Sequence, residues 1–155
     1  MTHDNIFESH AQAIVNPINC VGNMGGGLAR LFRLRYPEMN EAYQLACAGG
    51  LIVPGRMWVW HHTGKNLTDP SRAIINFPTK LDWRNPSEME YIEDGLEDLR
   101  LVIADLKLES IAFPPLGCGL GGLDWEEVEP MLIDLAGRTS ACLHIYRPEG
   151  KYYQI

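Results

Sequence analysis

Short apolar runs alternate along the chain with longer segments whose apolar residues recur every three or four positions. Each short run is typical of a buried strand. The predicted strands are AIVNPI (13–18), RMWVWHH (56–62), AIINFPT (73–79), SIAFPPL (110–116) and ACLHIYR (141–147). In the second of these, Met57 and Val59 alternate with Trp58 and Trp60, which favours burial on both faces.

Helical spacing is clearest in the segment after residue 90. Its apolar side chains step by four, three, four and three positions: Ile92, Leu96, Leu99, Ile103 and Leu106. Ser87 with Glu90 predicts a capping box at the start of this helix. Two earlier helices flank Pro37. The first begins within 25–27 and ends before the proline. The second begins at the proline and ends at 49–50. Asp124 is the predicted N-cap of a last helix.

Strands that alternate with helices predict an α/β fold, with a mainly parallel sheet covered on both faces. The length favours one domain over residues 1–155. The net charge of −7 argues against a non-specific grip on a phosphate backbone, but it leaves room for a pocket that takes one modified nucleotide. Because there is no signal peptide and no long apolar run, we expect a soluble, cytoplasmic protein.

Four cysteines without a CxxC pair make a structural zinc site improbable, and we expect no metal. Two of them, Cys20 and Cys118, stand beside glycine-rich segments. A catalytic thiol is the minor alternative for these two, because a free cysteine usually acts as a small apolar residue.

Two glycine-rich segments carry the candidate chemistry. VGNMGGGLARLF (21–32) and PPLGCGLGGLDW (114–125) each leave a predicted strand and enter a predicted helix. In such a sheet, ligands bind beyond the carboxyl ends of the strands, where free amides at a helix start attract phosphate. The alternative is two tight turns. Residues 117–122 also fit G-x-G-x-x-G, but Pro114 and Pro115 crowd the turn and too little chain follows for a dinucleotide-binding unit.

AIVNPINCVGNMGGGLARLF paired with PPLGCGLGGLDW resembles the macrodomain family, which binds ADP-ribose. The resemblance implies a three-layer α/β/α fold around a central mixed, mainly parallel sheet. Within the family, INFPTKLDWRNPSEMEYIEDGLEDL is most similar to the DNA ADP-ribosyl glycohydrolases, antitoxins whose toxins modify thymidine in single-stranded DNA. The resemblance therefore implies a hydrolase without a cofactor. Its partners would be ADP-ribose, ADP-ribosylated single-stranded DNA and a cognate ADP-ribosyltransferase toxin, with no membrane.

The same resemblance assigns the site. Lys80 falls where these glycohydrolases carry a catalytic lysine, and it would act either as a nucleophile or electrostatically. Trp83 and Arg84 would flank the thymine, by stacking and by phosphate contact respectively. The implied ligand-binding residues are Asn5, Ile6, Asn19, Gly25, Gly26, Gly27, Leu28, Thr79, Pro115, Gly117, Cys118, Gly119, Leu120, Gly121 and Tyr146.

Two positions of this set have alternatives, and two depart from the family pattern. Asn19 would face the distal ribose or tie down its own turn. Tyr146 would stack on adenine or belong to the core. Asn5 stands where many macrodomains have an aspartate that binds adenine, and Gly26 stands where many have a lysine.

Three classes of function remain open from the sequence. The first is a hydrolase that acts on ADP-ribosylated thymidine in DNA, or on ADP-ribosylated protein or O-acetyl-ADP-ribose. The second is a module that binds ADP-ribose without cleaving it. The third is an antitoxin whose acidic surface binds a toxin directly. In the antitoxins, a further carboxy-terminal region binds the toxin, so an excised domain and a stand-alone relative are both compatible with this sequence.

Overall fold

The computed structural model describes residues 4–155, with side chains described from Ile6 onward. Within this range six strands form one sheet: β1 (Ala13–Asn19), β2 (Trp58–His62), β3 (Arg72–Lys80), β4 (Ser110–Phe113), β5 (Cys142–Tyr146) and β6 (Tyr152–Gln154). Their order is β2–β3–β1–β4–β5–β6. The four central strands are parallel, and the two edge strands pair antiparallel with their neighbours. The mixed, mainly parallel sheet is therefore confirmed.

Five helices are described around this sheet: α1 (Asp4–Phe7), α2 (Gly27–Arg35), α3 (Pro37–Ala48), α4 (Met89–Leu106) and α5 (Trp125–Gly137). The predicted boundaries at Pro37 are confirmed, since this proline is the first residue of α3. Asp124 is the N-cap of α5, and its side chain accepts a hydrogen bond from the Glu126 amide. No helix in residues 4–155 combines the length and the apolar composition that a membrane crossing needs.

Alternate residues of the strands enter two separate cores. Ala13 and Val15 of β1 join one core, to which α4 and α5 contribute. Ile14 and Ile18 join the other core, which is built with α1, α2 and α3. Since consecutive strand residues point to opposite faces, the sheet lies between two helical layers. The predicted three-layer α/β/α architecture is confirmed.

The capping box predicted at Ser87 is wrong. The N-cap of α4 is Glu88, which makes no side-chain cap hydrogen bond, and the Ser87 hydroxyl has no partner among the described residues. The Ser87 amide instead donates to the carbonyl of Gly121 at 3.0 Å. The sequence motif was overridden because this serine is buried against the second glycine-rich segment.

The two edge strands account for two further corrections. The strand β2 is only partly buried, because it has a neighbour on one side alone. The strand β6 was not predicted. It follows a turn in which Gly150 has a φ of 92° and its amide donates to the carbonyl of Arg147 at 2.8 Å.

The strand order creates a crevice at one edge of the sheet. The chain leaves β1 toward β3 on one side, and it leaves β4 toward β5 on the other, although β1 and β4 are neighbours. The loops that follow these two strands therefore diverge. In open α/β sheets, such a switch point is where ligands bind.

Candidate functional site

A cavity of about 1040 Å³ opens at the carboxyl ends of β1, β3 and β4. This volume lies at the upper end of what ligand pockets span. The cavity is lined by residues 17–19, 23, 25–29, 79–80, 83–84, 114–115, 117 and 119–121. Both glycine-rich segments and the end of β3 therefore meet at one site.

The side chain of Asn19 holds the first loop, which runs from Cys20 to Gly26. Its Oδ1 accepts from the amides of Val21 at 3.1 Å and Asn23 at 3.3 Å, and its Nδ2 donates to the Asn23 carbonyl at 2.6 Å. The Tyr43 hydroxyl lies 2.8 Å from the same Oδ1. Asn19 lines the cavity and also ties down its own turn, so its contact with a ribose stays a prediction.

The first loop presents bare backbone to the cavity. Gly26 is the N-cap of α2, and the amides of Gly25, Gly26 and Gly27 have no acceptor among residues 4–155. These N–H groups stand at the positive end of the helix dipole, where an anion is stabilised. Leu28 follows them, and it is buried at the wall of the cavity.

The second loop, residues 114–124, faces the first across the cavity. Gly117 turns the chain with a φ of 70°, and its carbonyl accepts from the Leu123 amide at 2.8 Å. The amides of Gly119, Leu120 and Gly121 have no acceptor among the described residues. Three free amides on each side of one cavity suit a diphosphate, because its oxygens can accept from both loops.

Leu120 brings the two loops into close approach. Its side chain is 73% exposed, yet its Cδ1 lies 3.1 Å from the point that a Cβ on Gly26 would occupy. The residues Pro115 and Thr79 complete the wall, and the Thr79 hydroxyl donates to the Ile18 carbonyl at 3.4 Å.

Lys80 lies at the centre of the ligand edge. It is the register partner of Asn19 across the β1–β3 ladder. Its Nζ donates to the carbonyl of Leu120 at 3.0 Å and to the carbonyl of Trp83 at 3.4 Å. These contacts hold the amine between the second loop and the turn after β3, inside the cavity.

Arg84 is paired with the carboxylate of Asp82. Its Nε and Nη2 donate to the two oxygens of Asp82 at 3.0 and 2.7 Å, and this hydrogen-bonded guanidinium lowers the pKa of Asp82 to about 2. The guanidinium also lies 5.5 Å from the ring centroid of Trp83. Trp83 and Arg84 both line the cavity.

Three residues of the predicted site, Ile6, Tyr146 and Cys118, have other surroundings. Ile6 is buried in a core, and the side chain of Asn5 lies outside the described side chains. Tyr146 is half-buried, its ring centroid is 4.9 Å from that of Tyr152, and it does not line the cavity. Cys118 does not line the cavity either, and burial raises the pKa of its thiol to about 11. The roles of Asn5, Ile6 and Tyr146 at the adenine end stay predictions.

A raised thiol pKa disfavours the thiolate, which is the nucleophilic form. Burial also raises the pKa of Cys20 to about 11, so neither cysteine has the surroundings of a catalytic thiol. No three histidine, cysteine, aspartate or glutamate side chains of the described chain come together as metal ligands would.

Sequence reasoning missed Asn23 and Pro114, which both line the cavity. The signal for Asn23 was its place between the strand end and the glycines, four residues after Asn19. Pro114 was interpreted only as crowding the turn. As the first residue after β4, it occupies the same edge as Lys80.

Comparison with known proteins gives concordant matches. The sequence model of the Macro domain matches residues 15–132. A DNA ADP-ribosyl glycohydrolase of Mycobacterium tuberculosis is 50% identical over 128 residues, which are 83% of this chain and 36% of that protein. The chain spans about a third of the length of the curated DNA ADP-ribosyl glycohydrolases that it matches.

Two solved structures are similar over nearly the whole chain. The macrodomain of Mycobacterium tuberculosis DarG is 46% identical with a TM-score of 0.86, over 92% of this chain and 93% of that one. Thermosipho africanus DarTG in complex with ADP-ribose is 30% identical with a TM-score of 0.86, over 94% of this chain and 40% of that one.

Proposed function

Because this chain belongs to the Macro domain family, we propose that it is a hydrolase that removes ADP-ribose from thymidine in DNA. The similar Mycobacterium tuberculosis protein carries the name DNA ADP-ribosyl glycohydrolase. The proposed substrate is ADP-ribosylated single-stranded DNA, and ADP-ribose is the proposed product. A cognate ADP-ribosyltransferase toxin is the proposed protein partner, and the cytoplasm is the proposed location, in keeping with four unpaired cysteines.

The arrangement of free amides supports the binding half of this proposal. The diphosphate would lie between the first and second loops and accept hydrogen bonds from the amides of residues 25–27 and 119–121. Leu120 and Gly26 approach each other closely there, so the two loops would close over the ligand. The distal ribose would then extend toward the carboxyl end of β3.

The position of the Lys80 amine is the observation that carries the catalytic half. Two main-chain carbonyls, at 3.0 and 3.4 Å, hold Nζ inside the cavity at the end where the distal ribose would lie. Asn23 lines the same region, and its amide could bind the ribose hydroxyls. A lysine amine near an anomeric carbon can act as a nucleophile on the sugar.

In the nucleophilic mechanism, the lone pair of the Lys80 amine forms a bond to the anomeric carbon of the ribose. The glycosidic bond breaks, its electron pair leaves with the thymine, and the thymine takes up a proton. The sugar ring opens to give an imine, which one water hydrolyses to ADP-ribose and the free amine. In the electrostatic mechanism, the Lys80 ammonium stays unbonded and stabilises the negative charge that develops on the departing base.

We expect Lys80→Ala to bind free ADP-ribose with unchanged affinity and to lose release from an ADP-ribosylated thymidine oligonucleotide by at least about 100-fold, within the range for removal of one catalytic group. Calorimetry measures the binding and single-turnover assays measure the release. Lys80→Arg separates the two mechanisms, because arginine keeps the charge without an available lone pair. Recovery in this variant supports electrostatics, whereas borohydride trapping of the wild-type protein on the substrate supports the imine.

Two results would contradict the proposal. Wild-type rates in Lys80→Ala would remove the lysine from the chemistry. Binding of ADP-ribose without release from modified DNA, from modified peptides or from O-acetyl-ADP-ribose would identify the chain as a binding module. ADP-ribosylated peptides and O-acetyl-ADP-ribose, assayed in parallel, show whether another linkage is the substrate.

A further inference from the structure

The end of the cavity near Lys80 has a single basic side chain without a carboxylate partner among the described residues, that of Lys80 itself. Of the cavity-lining residues, Lys80 and Arg84 alone are charged. The lysine amine donates to two main-chain carbonyls, and the arginine donates to Asp82. The chain as a whole has a net charge of −7. A grip on a phosphate backbone depends on lysines and arginines without a carboxylate partner. The described lining of this cavity offers one, Lys80, and the proposed function assigns that residue to the reaction.

The side chain of Arg84 is hydrogen-bonded within its own turn. The Asp82 carboxylate accepts from Nε and Nη2 of Arg84 and also from its backbone amide at 3.0 Å. A second backbone bond, from Asn85 to the Asp82 carbonyl at 3.0 Å, closes the turn. The guanidinium lies over the Trp83 ring, so it braces the indole through a cation–π contact. This arrangement differs from the phosphate contact that the resemblance implied for Arg84.

The braced indole is available for contact with a ligand. Trp83 lines the cavity and is 52% exposed, which is unusual for so large an apolar residue. Its carbonyl accepts from the Lys80 amine, so the ring is tied to the position of the reacting group. A flat, fixed and uncharged surface beside the amine suits a nucleobase, because every base has a face that can stack.

We propose that the modified base is recognised by stacking on Trp83, with Arg84 as the brace of the ring and without a contact to the DNA phosphates. This inference rests on the proposed function and adds the class of substrate to it. The enzyme then reads one unstacked nucleotide, so an ADP-ribosylated thymidine mononucleotide is as good a substrate as a long single strand. A modified base held inside a duplex is a poor substrate, since it must first leave the base stack.

The test compares kcat/KM for the mononucleotide, a single-stranded oligonucleotide and the same oligonucleotide in a duplex, each at a series of salt concentrations. We expect the first two values to agree, and we expect the logarithm of kcat/KM for the oligonucleotide to be nearly independent of the logarithm of salt concentration. Each phosphate contact would add a slope of about −0.7 on a single strand. A slope for the oligonucleotide that is steeper than that for the mononucleotide by about 0.7 or more, or a tenfold preference for the oligonucleotide, would overturn the inference.

Substitutions of Trp83 test whether its ring stacks on the base. Trp83→Ala should lower kcat/KM for both single-stranded substrates by about 5- to 150-fold, which is the measured range for loss of base stacking. Trp83→Phe should retain most of the rate, because it keeps a flat ring. Leu81→Ala is the matched control, since Leu81 is an exposed apolar residue of the same turn and does not line the cavity. Equal losses in the control and in Trp83→Ala would reject stacking.

Arg84→Ala separates a brace from a phosphate contact. As a brace, Arg84 affects the mononucleotide and the oligonucleotide equally and leaves the salt slope unchanged. As a phosphate contact, it affects the oligonucleotide alone and its loss makes the slope shallower. Failure of the proposed function looks different from either result, because then no thymidine substrate releases ADP-ribose although ADP-ribose itself binds.

Discussion

At the scale of single residues, the site depends on Tyr43, a buried tyrosine that does not line the cavity. The Tyr43 hydroxyl lies 2.6 Å from the Asn19 carbonyl and 2.8 Å from its Oδ1. Burial raises the pKa of Tyr43, so the phenol stays protonated and can donate throughout the working pH range. Asn19 in turn fixes the amides of the first loop. One hydroxyl on α3 thus determines how the first loop meets the cavity.

Tyr43→Phe should lower the free energy of unfolding by about 1–3 kcal/mol, because it removes the hydroxyl that donates to the buried carbonyl of Asn19, whose Oδ1 keeps only the amides of Val21 and Asn23. It should also weaken ADP-ribose binding, since the loop loses its anchor. Urea unfolding and calorimetry measure the two effects. Tyr152→Phe is the control, because that hydroxyl is on an exposed ring and its loss should change neither quantity much. Unchanged ADP-ribose binding in Tyr43→Phe would show that this hydroxyl does not anchor the first loop.

At the scale of secondary structure, the hydrophobic pattern predicted the strands β1 to β5 and the four longer helices. The parallel order of β1, β3, β4 and β5 followed from their alternation with helices. Short polar signals were less reliable. Ser87 has the sequence of a capping box, but it is used by the second loop instead. The strand β6 was missed because three residues carry too little pattern to identify.

The candidate site was predictable to the same extent. Glycines after two strands predicted both loops, and their meeting at one cavity is what a switch point in the sheet produces. The pairing of Arg84 with Asp82 was not predictable, because a turn of the chain decides which of several neighbours a guanidinium meets. The same holds for the carbonyls that hold the Lys80 amine.

The second loop allows its turn residues to be separated from its ligand residues. Gly117 has a φ of 70°, and a Cβ there would lie 2.6 Å from a methyl carbon of Leu123. Gly119 has nothing within 4 Å of its would-be Cβ and is not among the positive-φ glycines, yet it lines the cavity. The turn therefore requires a glycine at position 117, and it does not require one at position 119.

Gly117→Ala should lower the free energy of unfolding by roughly 1–2 kcal/mol, because alanine is strained in the left-handed region. Gly119→Ala should change it by less than about 0.5 kcal/mol. It should nevertheless weaken ADP-ribose binding at least about tenfold, because the added methyl group enters the cavity and would keep the diphosphate from the amide, which costs the equivalent of one hydrogen bond to a charged group. Thermal unfolding with and without ADP-ribose reads both properties. Unchanged affinity in Gly119→Ala would contradict a phosphate cradle at the second loop.

At the scale of the whole molecule, acidic residues outnumber basic ones, and some of the acidic side chains form ion pairs where two elements meet. The chain has 20 acidic and 13 basic residues. Glu97 of α4 binds Arg100 on its own helix at 2.6 Å and Arg138, just after α5, at 2.9 Å. These bonds join the two helices on the outer side of one core. The Arg100 and Arg138 guanidiniums lower the pKa of Glu97 to about 2.

This depressed pKa gives the stability a dependence on acid with a definite sign. The ordinary pKa of the group is 4.5, so the native state binds this proton less readily than the unfolded chain does. The stabilisation is fully present above pH 4.5 and is lost as the pH falls through about 2. Glu97→Gln removes this titration, so its unfolding free energy should fall less steeply than that of the wild type over that interval. Urea unfolding at a series of pH values measures the difference.

Glu93→Gln provides the comparison on the same helix, because Glu93 has no ion pair within residues 4–155. This variant controls for the loss of one carboxylate from α4 without the loss of an ion pair. Since the Glu97 pairs are exposed, added salt should also reduce the difference between Glu97→Gln and the wild type. Parallel curves for Glu97→Gln and the wild type would show that the α4–α5 ion pairs do not couple folding to pH. The acid sensitivity would then have to come from the other paired carboxylates, of which Asp82 at the cavity mouth has an equally low pKa of about 2.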